Sequence, residues 1–220
     1  RRVEKSRAQP LEETHSLSGK VKRPGARLGD GKVRCRPYGV GITSHARHVD
    51  AERAFLNPGA VLVDADGFRG EAVDITLSWP GGWRAGSGME QPEPGHFVAP
   101  HYDRLVDSPI EAGTFDLVSF EAGGMTIDFL IHGTWDEDEE RLANDISAIV
   151  EASAGVFESA SRSLPTDRYL FLLHSGPGLG GGTEYYNSTV VHTDPRSFWD
   201  DERWGGFLGL MAHEFFHTWN

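Results

Sequence analysis

The last eight residues, His213-Glu214-Phe215-Phe216-His217-Thr218-Trp219-Asn220, govern how the rest of the chain is read. They contain H-E-x-x-H. On a helix the two histidines stand four residues apart, so both imidazoles leave the same face. Two neutral ring nitrogens at that spacing suit one Zn²⁺, bound at about 2.0–2.1 Å from each. Glu214 follows the first histidine. From there its carboxylate reaches a water activated by zinc and takes a proton from it. His213 and His217 are therefore the expected metal ligands, and Glu214 the expected general base. This is the chemistry of metal-assisted peptide hydrolysis. A catalytic zinc takes three protein ligands, and this stretch supplies two. The same pattern also fits an ordinary helix with two packing or surface histidines. The preceding run, Phe207-Leu208-Gly209-Leu210-Met211-Ala212, favours the metal reading: it is almost wholly apolar and reads as a buried helix. A histidine pair beside such a run needs a partner, and a metal is a natural one.

Upstream, the hydrophobic period assigns the elements. Asp136 to Glu140 form an acidic run before Leu142, Ile146, Ile149, Val150 and Phe157. Those apolar positions recur at helical spacing, and the acidic run suits a helix amino terminus. Arg168 to His174 read as a buried strand, and Ser188 to His192 as another. Between them, Gly176 to Gly182 are glycine-rich; no Lys-Ser/Thr or helix follows, so this is no phosphate loop. Residues 32–131 carry the strand pattern. Asp74 to Trp79 alternate polar and apolar, as do Phe115 to Leu117 and Met125 to Phe129, with Ala122-Gly123-Gly124 as a hairpin turn. Short alternating strands with Gly/Pro punctuation predict a β-sandwich. Arg84 to Pro100, rich in Gly and Pro, are expected to form a long loop. Residues 1–31 are polar and without period, and are expected to be disordered or foreign to the fold.

Composition excludes several roles. The 220 residues carry a formal net charge of -12, which repels nucleic acid and anionic membrane surfaces. Neither is an expected partner. The one cysteine, Cys35, permits no intrachain disulfide. No run of eighteen apolar residues spans a membrane, and no signal peptide is visible, so the expected compartment is the cytoplasm. His45, His48, His96, His101, His132, His174 and His192 stand singly and read as surface or packing residues.

The terminal octapeptide also resembles the signature of metallopeptidase family 61, the glycyl-aminopeptidase type, whose members often carry a PDZ domain. Gly181-Gly182-Thr183-Glu184 with Asn187-Ser188-Thr189 resembles the family's G-G-x-E-H-x-N-S-T segment. Asp107-Ser108-Pro109-Ile110-Glu111 resembles its D-S-P-I-E turn, and Ser44 to Asn57 resembles its amino-terminal domain. Tyr185 departs from the pattern, standing where the family usually has His. The resemblance covers about residues 32–220. It implies an α+β chain: an amino-terminal β-sandwich at 32–131, then the first half of a thermolysin-like (gluzincin) catalytic domain at 132–220. It implies Zn²⁺ as cofactor and a peptide as substrate. Gly181, Gly182, Thr183 and Glu184 would form the substrate-binding edge, with Glu184 holding the free α-amino group. The family's third ligand is a glutamate on a later helix, and nothing in this chain matches it. The 220 residues are thus expected to be a piece of a larger zinc aminopeptidase, inactive by itself. The competing expectation is a non-catalytic β-sandwich interaction module with an inert appendage, which would hold no stable zinc.

Overall fold

The computed structural model describes residues 48–62, 67–79, 81–136, 138–158 and 166–219. The readings made of residues 1–31, of Cys35 and of His45 lie outside them.

The amino-terminal part runs β1 (His48–Val49), β2 (Arg53–Leu56), α1 (Pro58–Val61), β3 (Val73–Thr76), β4 (Arg84–Ser87), β5 (Glu90–Glu93), β6 (His96–Ala99), α2 (Tyr102–Val106) and β7 (Ile110–Gly113). These strands form two antiparallel sheets, one ordered β1-β2-β7-β4 and the other β3-β6-β5. Leu56 and Ile110 of the first meet Ile75, Phe97 and Ala99 of the second in one buried cluster. That is the expected sandwich core. Arg84 to Pro100 are not the expected loop. Three strands occupy them, turning at Gly88-Met89 and at Pro94-Gly95. Pro92 is tolerated because, among the described residues, β5 is an edge strand paired with β6.

The rest of the chain builds a five-stranded mixed sheet and two long helices. Its elements are β8 (Asp116–Ala122), β9 (Met125–Gly133), α3 (Glu139–Glu158), β10 (Arg168–Ser175), β11 (Gly181–Tyr185), β12 (Ser188–Thr193) and α4 (Asp201–Phe216). The order is β11-β12-β10-β9-β8, with β9, β10 and β12 parallel and the two edges antiparallel. Gly123 (φ 58°) and Gly124 (φ 84°) make the β8–β9 hairpin; two consecutive positive φ angles suit the tight turn whose twist matches the strands. Residues 115–131 do not belong to the amino-terminal sandwich, although their strand pattern predicts it. Instead, β8 and β9 join the five-stranded sheet, because β9 pairs along eight residues with β10.

Alternation along the strands divides two cores. Ile127, Phe129, Ile131, Tyr169, Phe171, Leu173 and Val191 face α3 and α4. Leu130, Leu170, Leu172 and Val190 face the other way and cover Phe55 of β2. The layers are thus the small sheet, the sheet containing β7, the five-stranded sheet, and the helices.

One polar cluster interrupts the inner boundary. His132, His174 and His192 lie opposite one another on three adjacent parallel strands. His174 Nε2 donates to Glu111 Oε2 at 2.8 Å, and His192 Nε2 lies 3.1 Å from His174 Nδ1. His132 Nε2 stands 3.1 Å from Glu111 Oε1. Glu111, from β7, is fully buried. These histidines do not stand singly, as expected from sequence; they bridge two sheets. Burial alone would raise the Glu111 pKa. The charges and N–H groups of His174 and His132 outweigh it and bring the carboxyl down to about 2.

Candidate active site

Helix α4 is specified locally. Asp200 caps it, accepting from the Arg203 backbone N–H at 3.0 Å, and Asp201 and Glu202 fill the first turn. Trp204, Phe207, Met211 and Phe215 then fall on one stripe and are buried against the sheet. Each such burial contributes about 1.5–3 kcal/mol. One face is buried, and Gly205, Gly209 and His213 on the other are exposed. Phe215 packs edge-on to Tyr169 at 5.0 Å, whereas Phe216 is 42 % exposed.

The stripe sets the site's orientation. Glu214 lies at its border and is buried. His213 lies within the helix. His217 is its carboxy-terminal cap, still in the helical region (φ -61°, ψ -14°), and opens a short 3₁₀ turn, His217–Trp219. The two rings are nearly perpendicular, and their Nε2 atoms approach to 3.3 Å. Nitrogens in neighbouring tetrahedral positions on zinc stand about 3.3–3.4 Å apart, given metal–nitrogen distances of about 2.0–2.1 Å. The Nε2–Nε2 distance therefore fits one zinc held between the two rings. Among the described residues, no group of three His, Cys, Asp or Glu side chains converges on a metal position. His192 is not near this pair: it lies on the sheet face away from α4, bonded to His174. Asp194 is occupied with Arg196 at 2.7 Å and Gly178.

Glu214 Oε2 is buried without a hydrogen-bond partner among the described residues. Burial raises its pKa, the charge of Glu184 adds to this, and His213 and His217 oppose it. Gly182 of β11 lies directly against the carboxylate. A Cβ there would come within 2.5 Å of Glu214 Cδ and Oε1. Glu184, two residues on, shares the Gly182 face of the strand and is exposed. Thr183 and Tyr185 point to the other face. Tyr185 packs on the inner core, and Asn57 Nδ2 donates to its hydroxyl at 3.3 Å. Its phenol is pushed up to about 12 by burial, with Asp107 and Glu184 adding. The Tyr-for-His departure therefore lies on the strand face opposite Glu184.

An amino-terminal β region leading into a mixed sheet and an H-E-x-x-H helix defines an α+β protein with the first half of a thermolysin-like domain. The family model for the Peptidase M61 N-terminal domain matches residues 5–114, half of the chain. The chain belongs to this peptidase family. The match starts inside the segment 1–31 that the sequence reading set apart, and it ends just after β7. Among solved structures, the chain is similar to an aminopeptidase N family protein from Idiomarina loihiensis. Identity is 26%, the TM-score is 0.76, and the match covers 83% of this chain and 33% of that one. The chain thus spans about a third of that protein. Yeast LTA4 hydrolase in complex with bestatin is more distant, at 17% identity and a TM-score of 0.48, with 76% of this chain and 26% of that one covered. An M1 zinc metallopeptidase from Deinococcus radiodurans stands at 10% identity and 0.49, with 79% and 41% covered. A comparison with curated proteins gave no match. No helix among the described residues is long and apolar enough to cross a membrane.

Proposed function

We propose that this chain carries the metal-binding helix and substrate edge of a zinc-dependent peptidase of the aminopeptidase type. The carrying observation is the 3.3 Å approach of His213 and His217 Nε2 beside the buried Glu214 carboxylate. His213 and His217 hold the metal, and the third ligand comes from residues other than those described. Zinc in such a site supplies Lewis acidity to a carbonyl and to a water. Glu214 takes the proton of the attacking water. Its Oε2 has no competing hydrogen-bond partner among the described residues, and its burial favours holding that proton. Strand β11 is an edge of the sheet. Its outer edge pairs with an extended peptide by strand addition, aligning the scissile bond beside α4. Glu184 then faces a substrate ammonium, a charge-assisted hydrogen bond that selects free amino termini.

Peptide hydrolysis by the full-length protein tests this reading through Glu184. Glu184→Ala is expected to raise KM for peptides with a free amino terminus by about 1.5–3 kcal/mol of lost binding, the range for hydrogen bonds to charged groups. Amino-blocked peptides never made the contact and should change little. Equal losses on both would show that Glu184 supports the fold instead. A wild type that contains no zinc and cleaves neither peptide would end the proposal.

Gly182→Ala tests the packing of the base. The added methyl cannot coexist with the present Glu214 rotamer. Displacing a reacting group by about 1 Å costs roughly 10²-fold, so kcat should fall by about that factor. Zinc content should stay unchanged, since the three atoms nearest the new methyl all belong to Glu214. A kcat within twofold of wild type would mean that Glu214 relaxes without consequence.

A further inference from the structure

Among the described residues, β11 is the outermost strand of its sheet and takes its place from β12. At its Glu184 end the two strands are joined by a two-residue turn, Tyr186-Asn187. The Asn187 carbonyl accepts from the Leu170 N–H at 3.1 Å, which anchors the start of β12 to the central strand. β11 lies one strand further out. One side chain from the amino-terminal half grips both turn residues. Arg104 of α2 lays its guanidinium over the Tyr186 ring, 3.7 Å from the centroid, and its Nη2 donates to Asn187 Oδ1 at 2.8 Å. Nη2 also donates to the Gly88 carbonyl at 3.3 Å, and the same carbonyl accepts from Asn187 Nδ2 at 3.0 Å. Arg104, Asn187 and Gly88 thus close a triangle of hydrogen bonds across the boundary between the two halves.

The grip is built for an arginine. A planar guanidinium stacks on an aromatic face and donates from its rim at the same time, which a lysine ammonium does not. The seat is close-fitting: Asn187 is buried, and a Cβ at Gly88 would fall 2.1 Å from Asn187 Oδ1. Helix α2 presents Arg104 from a fixed base. His101 Nδ1 accepts from the Arg104 backbone N–H at 3.1 Å, and Ser108 Oγ donates to the Arg104 carbonyl at 2.8 Å. Glu184 stands two residues before Tyr186, so a swing of the turn moves its carboxylate.

We propose that Arg104 is a positioning residue for the substrate edge: by holding Tyr186 and Asn187 it fixes the end of β11 on which Glu184 meets the substrate ammonium. This rests on the reading of Glu184 above. The full-length wild type, Arg104→Met, Glu184→Ala and the double variant are assayed on a free-amino peptide and on its amino-blocked counterpart. Met fills the space of the arginine stem but carries neither charge nor donor. Arg104→Met should raise KM for the free-amino peptide about 10-fold, the low end of the loss expected for Glu184→Ala, with kcat nearly unchanged. The blocked peptide should change little. The double variant should be no worse than Glu184→Ala alone, because Arg104 acts through Glu184. Amide exchange across residues 181–188, read without substrate, should be faster in Arg104→Met than in wild type. Equal losses on both peptides, or losses that multiply in the double variant, would make Arg104 a general support of the fold and overturn the proposal. Exchange equal to that of wild type would overturn it too. A wild type that cleaves neither peptide ends the peptidase reading by itself, and the exchange comparison then still decides whether Arg104 holds the strand. Should Arg104→Met fail to fold, Tyr186→Leu, made at a half-exposed ring, takes its place. It should raise KM for the free-amino peptide about threefold, the weight of an exposed cation–π contact, and an unchanged KM overturns the proposal.

Discussion

Glu214→Gln in the full-length protein is expected to lower turnover by about 10²–10⁴-fold, the usual cost of removing a general base, while leaving zinc content intact. Gln keeps the length and shape of the side chain, so the contact with Gly182 survives. His213 and His217 are untouched, so the metal stays. What is lost is the ability to accept a proton at Oε2, the buried atom with no hydrogen-bond partner among the described residues. Steady-state hydrolysis of a free-amino peptide, with metal analysis of the same sample, decides the matter. Near-normal turnover would remove Glu214 from the base role. Loss of zinc together with activity would instead make it a structural support of the site.

Glu111→Ala is expected to destabilise the fold strongly, although the residue lies outside the α4 site. The carboxylate is the acceptor for His174 and the ion-pair partner of His132, all three within the boundary between two sheets. Removing one partner of a buried charged pair costs about 3–5 kcal/mol, because the remaining groups are left without compensation. Chemical denaturation should show this loss, and Glu111→Gln, which keeps one acceptor oxygen, should lose less. The acid limb has a definite sign. The folded pKa of Glu111, about 2, lies below the ordinary 4.5. Its contribution is therefore present above pH 4.5 and is lost as pH falls towards 2. Over that window the stability of Glu111→Ala should change less with pH than that of wild type. Parallel curves, or a substitution costing under about 1 kcal/mol, would show that the cluster contributes only packing.

Much of the candidate site's placement in the fold was legible because its signals are local. The i, i+4 histidines, the adjacent carboxylate and the apolar run before them all lie within α4 and its cap residue, His217. The position of β11 beside that helix came from the G-G-T-E resemblance rather than from periodicity. The buried histidine cluster was missed because its members are far apart in sequence. Parallel pairing of β9, β10 and β12 brings them into register, and no spacing rule encodes parallel register. A weak signal was present: His132-Gly133, His174-Ser175 and His192-Thr193 each close an apolar strand run in the same way. Alternation in 115–131 correctly marked strands, but it describes a strand's two faces and not the neighbour it pairs with. The Arg84 to Pro100 strands were obscured by Gly and Pro, which punctuate short edge strands as readily as loops.

Strand β7 gives the molecule a mechanical unity that a division into domains would hide. Its Ile110 belongs to the amino-terminal core, while its neighbour Glu111 is the anchor of the histidine cluster on the five-stranded sheet. In the same way, Leu56 and Phe55 of β2 serve opposite cores. A two-faced sheet of this kind cannot be peeled from one side without baring the other. Cutting the chain after β7 and keeping only the carboxy-terminal part would leave Leu130, Leu170, Leu172 and Val190 without Phe55, and His132 and His174 without their carboxylate. The two halves should therefore melt as a single cooperative unit, with no separate foldon for the α4 side.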